Sequence, residues 1–131
     1  MAKTTRPNVA DAVPRPQLFR RLDRGRKRPL TWVCGPPGAG KTTLVASYLE
    51  RRELRAIWYQ IDLGDADVAT FFYYLGLAAP RRRRRLPLLA PGDPGLSLFA
   101  RRFFRELYSR VRAPFALVLD NYQELPFETE L

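Results

Sequence analysis

Residues 35 to 43 read Gly-Pro-Pro-Gly-Ala-Gly-Lys-Thr-Thr, and this stretch constrains the fold more than any other part of the chain. Glycine lacks a Cβ atom, so Gly35, Gly38 and Gly40 allow positive φ angles and a close approach of the backbone to another group. The spacing fits G-x-x-x-x-G-K-[ST], in which successive amides surround an anion at the start of a helix. It therefore predicts a phosphate-binding loop between a strand and a helix.

The spacing also assigns a role to the side chains that close this loop. Lys41 is expected to reach the β- and γ-phosphates of a nucleotide, and the Thr42 hydroxyl is expected to bind Mg²⁺. The alternative is a Gly-Pro turn followed by an unrelated Lys-Thr pair. The predicted binding residues are Gly35, Pro36, Pro37, Gly38, Ala39, Gly40, Lys41, Thr42 and Thr43, with Lys41 also a catalytic candidate.

The flanks of the loop favour the phosphate-binding interpretation. Residues 30–34, Leu-Thr-Trp-Val-Cys, are apolar and partly β-branched, which predicts a buried parallel strand. Leu44, Val45, Tyr48 and Leu49 repeat at helical spacing, and the helix is expected to end near Arg52.

An acidic partner for the metal follows a second apolar run, Phe-Ala-Leu-Val-Leu at 115–119, which ends in Asp120. A carboxylate at the carboxyl end of a parallel strand points into the crevice where open α/β sheets bind ligands. Asp120 is therefore the second catalytic candidate and, with Thr42, the predicted Mg²⁺ ligand; a carboxylate at an ordinary turn is the alternative.

The residues after Asp120 argue for nucleotide binding more than for turnover. Hydrolysis needs a group that orients or deprotonates the attacking water. Asn121 cannot act as a base, and Glu124 could reach the site only if the loop folded back. The alternative for Glu124 is a solvated surface carboxylate.

Composition excludes several other classes of site. The 131 residues contain no histidine and one cysteine, so an intramolecular disulfide, a zinc site and a Cys-His nucleophile pair are excluded. We expect Cys34 to lie in the core. The first 13 residues lack the apolar segment of a secretory signal, and no stretch approaches the length of a membrane helix. A cytoplasmic protein without membrane contact is the expectation.

The net charge of +10 is concentrated in part in a run of five arginines, Arg81 to Arg85. The run lies between Pro80 and Pro87 in a segment without periodicity, so residues 80–95 are expected to form a loop. Charge runs are usually solvated, which is one interpretation. Contact with nucleic acid or anionic lipid is the other.

The remaining elements alternate between helix and strand. A short helix should begin at Pro16 and end at Gly25, and residues 56–61 should form a strand. Asp65 or Asp67 should cap a helix that stops before Pro80, because Asp62, Asp65 and Asp67 lack the pattern of a calcium loop. A further helix over 97–112 has an apolar face and, on the other side, Arg101, Arg102, Arg105, Arg110 and Arg112.

This order predicts an α/β fold with a parallel sheet and helices on its faces. We expect residues 1–13 to form a flexible tail and residues 14–131 to form a nucleotide-binding domain.

Several segments together resemble the N-terminal domain of MalT-like regulators, which are LuxR-type transcriptional activators among the signal-transduction ATPases with numerous domains. The resemblance covers residues 14–18, the phosphate loop, Trp-Tyr-Gln-Ile-Asp at 58–62, the aromatic run at 71–75 and Leu-Val-Leu-Asp-Asn-Tyr at 117–122. It implies a three-layer P-loop core that binds ATP and Mg²⁺. It also implies self-association of the full-length protein and DNA binding only through a C-terminal helix-turn-helix domain that this chain lacks.

Two positions depart from the family pattern. The family usually has a second aspartate where Asn121 stands, and more often an aromatic residue where Ala39 stands. The first departure leaves hydrolysis open. The family also has further strands after the Asp120 strand, one of which inserts beside the loop strand. The resemblance thus implies that this chain is an incomplete piece with a gap in its sheet.

Three functions are compatible with these patterns. The leading one is an ATP- and Mg²⁺-binding switch module of a transcription regulator, with weak or absent hydrolysis. The second is a small P-loop kinase that transfers the γ-phosphate of ATP to a metabolite. The third is a basic module that binds nucleic acid directly.

Overall fold

A computed structural model describes residues 4–10, 12–28, 30–36, 38–82, 85–89 and 95–122. The predictions that concern Pro37 and Glu124, and part of the loop predicted over 80–95, lie outside these residues. The chain divides into two compact units. The first is Arg6–Leu54, and the second contains the residues from Arg55 onward.

Two helices build the first unit. Helix α1 runs over Pro16–Gly25 and has proline in its first turn, as the sequence predicts, because proline at that position sacrifices no helical hydrogen bond. Helix α2 runs over Lys41–Arg51, which confirms the helix predicted after the glycine-rich loop. Phe19 of α1 meets Tyr48 of α2 edge to face, with ring centroids 5.5 Å apart, and both rings are buried. This aromatic pair joins the two helices.

The strand predicted over residues 30–34 is wrong, because the structure assigns no strand to them. Leu30 and Trp32 are 75% and 62% exposed, and Cys34 is exposed rather than in the core. A strand requires a hydrogen-bonded neighbour as well as an apolar sequence. Within the described residues the sheet contains two strands, and neither pairs with this segment.

Those two strands lie in the second unit and are parallel. Strand β1 is Arg55–Gln60 and strand β2 is Phe115–Asp120. Their register pairs Arg55 with Phe115 and Gln60 with Asp120, and the Ile61 amide donates to the Asp120 carbonyl at 2.8 Å. Parallel strands need a long crossover, which helix α3 (Val68–Ala78) and helix α4 (Leu96–Ser109) provide along the chain. The predicted α/β class with a parallel sheet is thereby confirmed.

An aromatic cluster forms the core of this unit. Phe72 of α3 lies at the centre, with its ring centroid 4.8 Å from those of Phe99 and Phe103 in α4 and 5.2 Å from that of Phe71. The contacts are edge to face, the geometry that the ring quadrupoles favour. The predicted apolar faces of both helices therefore pack against each other.

The predicted polar face of α4 needs one correction. Arg110 is only 8% exposed and pairs with Glu106, with 3.4 Å between Nη2 and Oε1. The helix ends at Ser109 rather than at Arg112, so Arg110 leaves the helical stripe that predicted its exposure. The long arginine stem can pack against apolar groups while its guanidinium forms hydrogen bonds.

A short 3₁₀ helix that the sequence did not predict, Leu63–Ala66, precedes α3. The Asp62 carboxylate accepts from the Gly64 amide. Asp62 and Asp65 also form a capping box, in which each carboxylate accepts from the backbone amide of the other. Asp67 occupies the N-cap position of α3, one of the two positions predicted, and accepts a hydrogen bond from the Thr70 hydroxyl. Among the helices described, none has the length and apolar character needed to cross a membrane.

Candidate nucleotide-binding site

Two of the three glycines of the loop adopt the positive φ angles that glycine allows, and Gly35 does not. Gly38 and Gly40 have φ angles of 79° and 82°, in the left-handed region that residues with a Cβ rarely enter. The Ala39 amide between them donates to the Pro36 carbonyl at 3.1 Å, which closes a tight turn. Left-handed residues that alternate with ordinary ones curve the backbone so that nearby amides converge on one side. This local geometry favours an anion.

The loop leads directly into the N-terminus of α2. Gly40 is the N-cap residue, and the first helical hydrogen bond joins the Leu44 amide to the Gly40 carbonyl at 2.8 Å. The amides of the first turn therefore point toward the loop, and the helix dipole places partial positive charge there. No acidic side chain lies in this first turn. The electrostatics thus favour a negatively charged ligand at the predicted position.

Lys41 adds a full positive charge to the same place. Its ammonium group donates a hydrogen bond to the Gly35 carbonyl, so the side chain folds back across the loop. Gly35 and Lys41, the first glycine and the lysine of the motif, are thereby brought together. A lysine in this position can exchange a carbonyl partner for phosphate oxygens without a change of backbone.

Arg15 contacts the loop, although no pattern in the sequence predicts it. Its Nη1 atom lies 3.5 Å from the Ala39 carbonyl oxygen and 3.7 Å from the position that a Cβ on Gly40 would occupy. Arg15 and Ala39 are 24 positions apart, and no spacing rule connects a residue before α1 with the loop. Arg15 places a second cation next to the glycine turn.

A shallow cavity of about 260 Å³ adjoins the first turn of α2. Thr43 lines it from the helix, and residues of the N-terminal segment line it from the other side: Asn8, Val9, Ala10 and Ala12. That segment is turned back on itself, because the Ala12 amide donates to the Val9 carbonyl at 2.9 Å. The predicted flexible tail thus contributes to the wall of a cavity at the predicted site, and its mobility stays a prediction.

The two predicted Mg²⁺ ligands lie in different units of the chain, Thr42 in the first and Asp120 in the second. Thr42 is the second residue of α2. A hydroxyl and a carboxylate oxygen match the preference of Mg²⁺ for few protein oxygens with phosphate and water completing its shell. In the part of the chain that the structure describes, no group of three or more acidic, cysteine or histidine side chains could hold a metal ion.

Asp120 occupies the place that its sequence predicts, at the carboxyl end of a strand. It is the last residue of β2, it is half-buried, and its Oδ1 accepts a hydrogen bond from the Asn121 amide at 2.9 Å. Asn121 has a φ of 61°, so the chain turns sharply after the strand. A carboxylate at this position could serve as the acidic partner of a bound Mg²⁺, and that role stays a prediction.

A buried tyrosine–aspartate pair lies near the same end of β1. The Tyr59 hydroxyl donates to Asp65 at 2.6 Å, and both residues are fully buried. Burial raises the pKa of Tyr59 well above its ordinary value, and the hydrogen bond to Asp65 raises it further. Asp65 also closes the capping box before α3, so we assign it a structural role.

No protein-family model, curated protein or solved structure matches this chain. The family stays a prediction. The MalT-like resemblance therefore depends on the quoted segments alone, and the function is argued from the loop and its surroundings.

Proposed function

We propose that this chain binds ATP with Mg²⁺ through the loop at residues 35–43 and acts as the nucleotide-binding switch module of a transcription regulator. The observation that carries the proposal is the loop itself. Two left-handed glycines lead into the N-terminus of α2, and the Lys41 ammonium lies across the turn. These are the features by which a backbone holds a polyphosphate.

We propose Mg²⁺ as the counterion of the bound triphosphate. Thr42 would hold it on the side of the loop, and Asp120 would act as its acidic partner. The metal would neutralise charge on the phosphate oxygens when bound, and Lys41 would bind those oxygens directly. Asp120→Asn is expected to weaken the dependence of ATP binding on Mg²⁺ while leaving metal-free binding unchanged.

Slow or absent hydrolysis is part of the proposal. Turnover needs a residue that positions the attacking water. The residue next to Asp120 is Asn121, whose side chain is not a base; its backbone N–H donates to the Asp120 carboxylate. A switch must retain its nucleotide, so slow hydrolysis suits this role better than rapid turnover does.

The finer architecture, a three-layer P-loop core, also belongs to the proposal and is drawn from the resemblance. It does not include a strand at residues 30–34, because the structure assigns none to them. Self-association and a separate DNA-binding domain in the complete regulator are proposed from the resemblance.

Nucleotide affinity in a matched pair of variants tests the proposal. Lys41→Ala removes one charge-assisted contact to phosphate, so ATP affinity should fall about tenfold or more. Lys27→Ala removes the same charge from an exposed position outside the loop and should leave affinity within about twofold of wild type. Equal affinity of both variants would mean that ATP binds this basic chain without using the loop, which would overturn the proposal.

A further inference from the structure

The positive charge of this protein is concentrated in one stretch of the second unit. Residues 80–112 contain ten arginines, no lysine and two acidic residues, so they account for eight of the ten net positive charges. The phosphate loop lies outside this stretch, and the function proposed above uses none of these arginines. A concentration of one sign in one region marks a surface for a partner of the opposite sign.

The structure fixes part of the arginine run against α4. Arg82 donates through Nη2 to the Arg110 carbonyl at 3.5 Å, and Arg110 donates through Nη1 to the Pro80 carbonyl at 3.5 Å. Leu86, just after the run, is buried in the core. These contacts hold Arg81 and Arg82 beside the C-terminal end of the helix, where positive charge is also favoured by the helix dipole.

The helix supplies the rest of the surface. The arginine surface is defined here as Arg81, Arg82, Arg101, Arg102, Arg105 and Arg112, all of which are exposed. None of them forms an ion pair with any residue that the structure describes. Glu106, the only carboxylate in α4, is engaged by the buried Arg110 and does not neutralise them. Within the described part of the chain, the surface therefore presents guanidinium groups without acidic partners.

We propose that the arginine surface binds the phosphodiester backbone of nucleic acid. Guanidinium is planar and pairs with phosphate oxygens through two parallel hydrogen bonds, which a lysine ammonium cannot do. A surface built from six arginines and no lysine suits this contact. Contacts to phosphate oxygens carry no sequence information, so binding through them is independent of sequence.

A membrane surface is the competing partner, and the packing of α4 argues against it. A helix that binds a bilayer buries apolar side chains of its own among the lipids. The apolar face of α4 is already used, because Phe99, Phe103 and Leu107 are buried in the core. The large apolar side chains of α4 that are more than half exposed are Leu98 and Tyr108, ten positions apart. The basic face therefore has charge for a polyanion and no continuous apolar stripe for lipid.

Binding of a labelled random duplex of about 20 base pairs, followed by fluorescence anisotropy in the full chain, tests the inference. The triple variant Arg101→Ser/Arg102→Ser/Arg105→Ser should bind at least tenfold more weakly. A plot of its log affinity against log salt concentration should have a slope smaller in magnitude by about 3, because about one counterion is released for each phosphate contact. The control Arg20→Ser/Arg21→Ser/Arg24→Ser removes the same charge from exposed positions of α1 and should change affinity less than about threefold.

Two further measurements make the result decisive. Lys41→Ala should bind the duplex as wild type does, which separates this surface from the nucleotide site. Vesicles of phosphatidylserine and phosphatidylcholine should bind weakly and without sensitivity to the α4 substitutions. Equal losses in the α4 and α1 triple variants would show that net charge alone is responsible. Binding to vesicles but not to the duplex would replace nucleic acid by lipid, and either result overturns the inference.

Discussion

The Asp23 carboxylate accepts two hydrogen bonds from the Arg52 guanidinium, at 3.0 Å from Nε and 2.9 Å from Nη2. The Tyr48 hydroxyl donates to the same carboxylate at 2.7 Å. The three residues come from α1, from α2 and from the position just after α2, so they complete the contact that the rings of Phe19 and Tyr48 begin. The helix that carries the phosphate loop is thereby joined to α1.

Acid should weaken this connection. The hydrogen bond from Arg52, and then that from Tyr48, holds the pKa of Asp23 well below its ordinary range. A depressed folded-state pKa gives a stabilisation that is complete above the unfolded value of about 4 and is lost as the pH falls below it. Asp23→Asn should therefore lower the urea midpoint at neutral pH, and its difference from wild type should shrink on acidification.

The matched control for this prediction is Glu50→Gln, which removes an exposed carboxylate of α2 that has no ion pair among the described residues. Its urea midpoint should follow that of wild type throughout the acid range. An Asp23→Asn difference that persists unchanged at about pH 2 would contradict a role for the ionised carboxylate.

Tyr59 and Asp65 should be important for stability. Tyr59→Phe removes a hydrogen bond to a buried carboxylate and keeps the ring, so the free energy of unfolding should fall by about 1.5–3 kcal/mol. Tyr73→Phe, at a ring that is 51% exposed on α3, should cost less than about 0.5 kcal/mol. Urea denaturation of the two variants measures the difference, and equal losses would contradict the assignment.

The pH dependence of the same residue has a defined sign. Burial raises the pKa of Tyr59, so its contribution to stability is complete below the ordinary tyrosine value of about 10 and decreases as the pH rises above it. Alkaline destabilisation should be smaller in Tyr59→Phe than in wild type. A wild-type slope retained in that variant would assign the alkaline transition to another group.

The aromatic cluster should dominate the stability of the second unit. Phe72→Ala removes a ring that contacts three or more others in the core and should cost about 3–5 kcal/mol. Leu77→Ala, in the same helix but 53% exposed, should cost under about 0.5 kcal/mol. Thermal or urea unfolding of both variants measures these two losses of stability. Equal losses would mean that α3 and α4 do not pack through Phe72.

The glycines of the loop should differ in their tolerance of a side chain. At Gly40 a Cβ has space, with Arg15 Nη1 3.7 Å away, but the φ of 82° makes an L-residue unfavourable by about 1–2 kcal/mol. At Gly35 an added Cβ would meet Ala39 and Lys41 at ordinary contact distances of 3.4 Å and 3.6 Å. Gly40→Ala should thus weaken ATP binding about tenfold, and Gly35→Ala should weaken it less. The reverse order would contradict the observed loop conformation.

Local sequence signals predicted most helices and strands of this fold. Proline at position 16 and glycine at position 25 gave both ends of α1, because each residue restricts or frees the backbone in a known way. The apolar run at 115–119, which is followed by Asp120, predicted both ends of β2. These signals act over a few residues, so they can be read without knowledge of the rest of the fold.

The failures concern partners that are distant along the chain. An apolar run at 30–34 has the composition of a strand, but composition does not supply the neighbour that a strand must bind. Helical periodicity continued past Ser109 predicts that Arg110 is exposed, but the helix ends at Ser109. Arg110 instead contacts the carbonyl of Pro80, which is 30 positions away along the chain. The contact of Arg15 with the loop is equally invisible to spacing rules.

Amide chemical-shift mapping of the full ¹⁵N-labelled chain during titration with Mg·ATP tests the central claim most directly. The account predicts that the largest changes occur at Gly38, Gly40 and the residue at position 41. In Lys41→Ala these changes should require about tenfold more ATP or higher concentrations still, while Lys27→Ala should titrate as wild type does. Changes confined to the amides of Arg101, Arg102 and Arg105, with an unaffected loop, would show that ATP binds only as an anion on the arginine surface and would contradict the account.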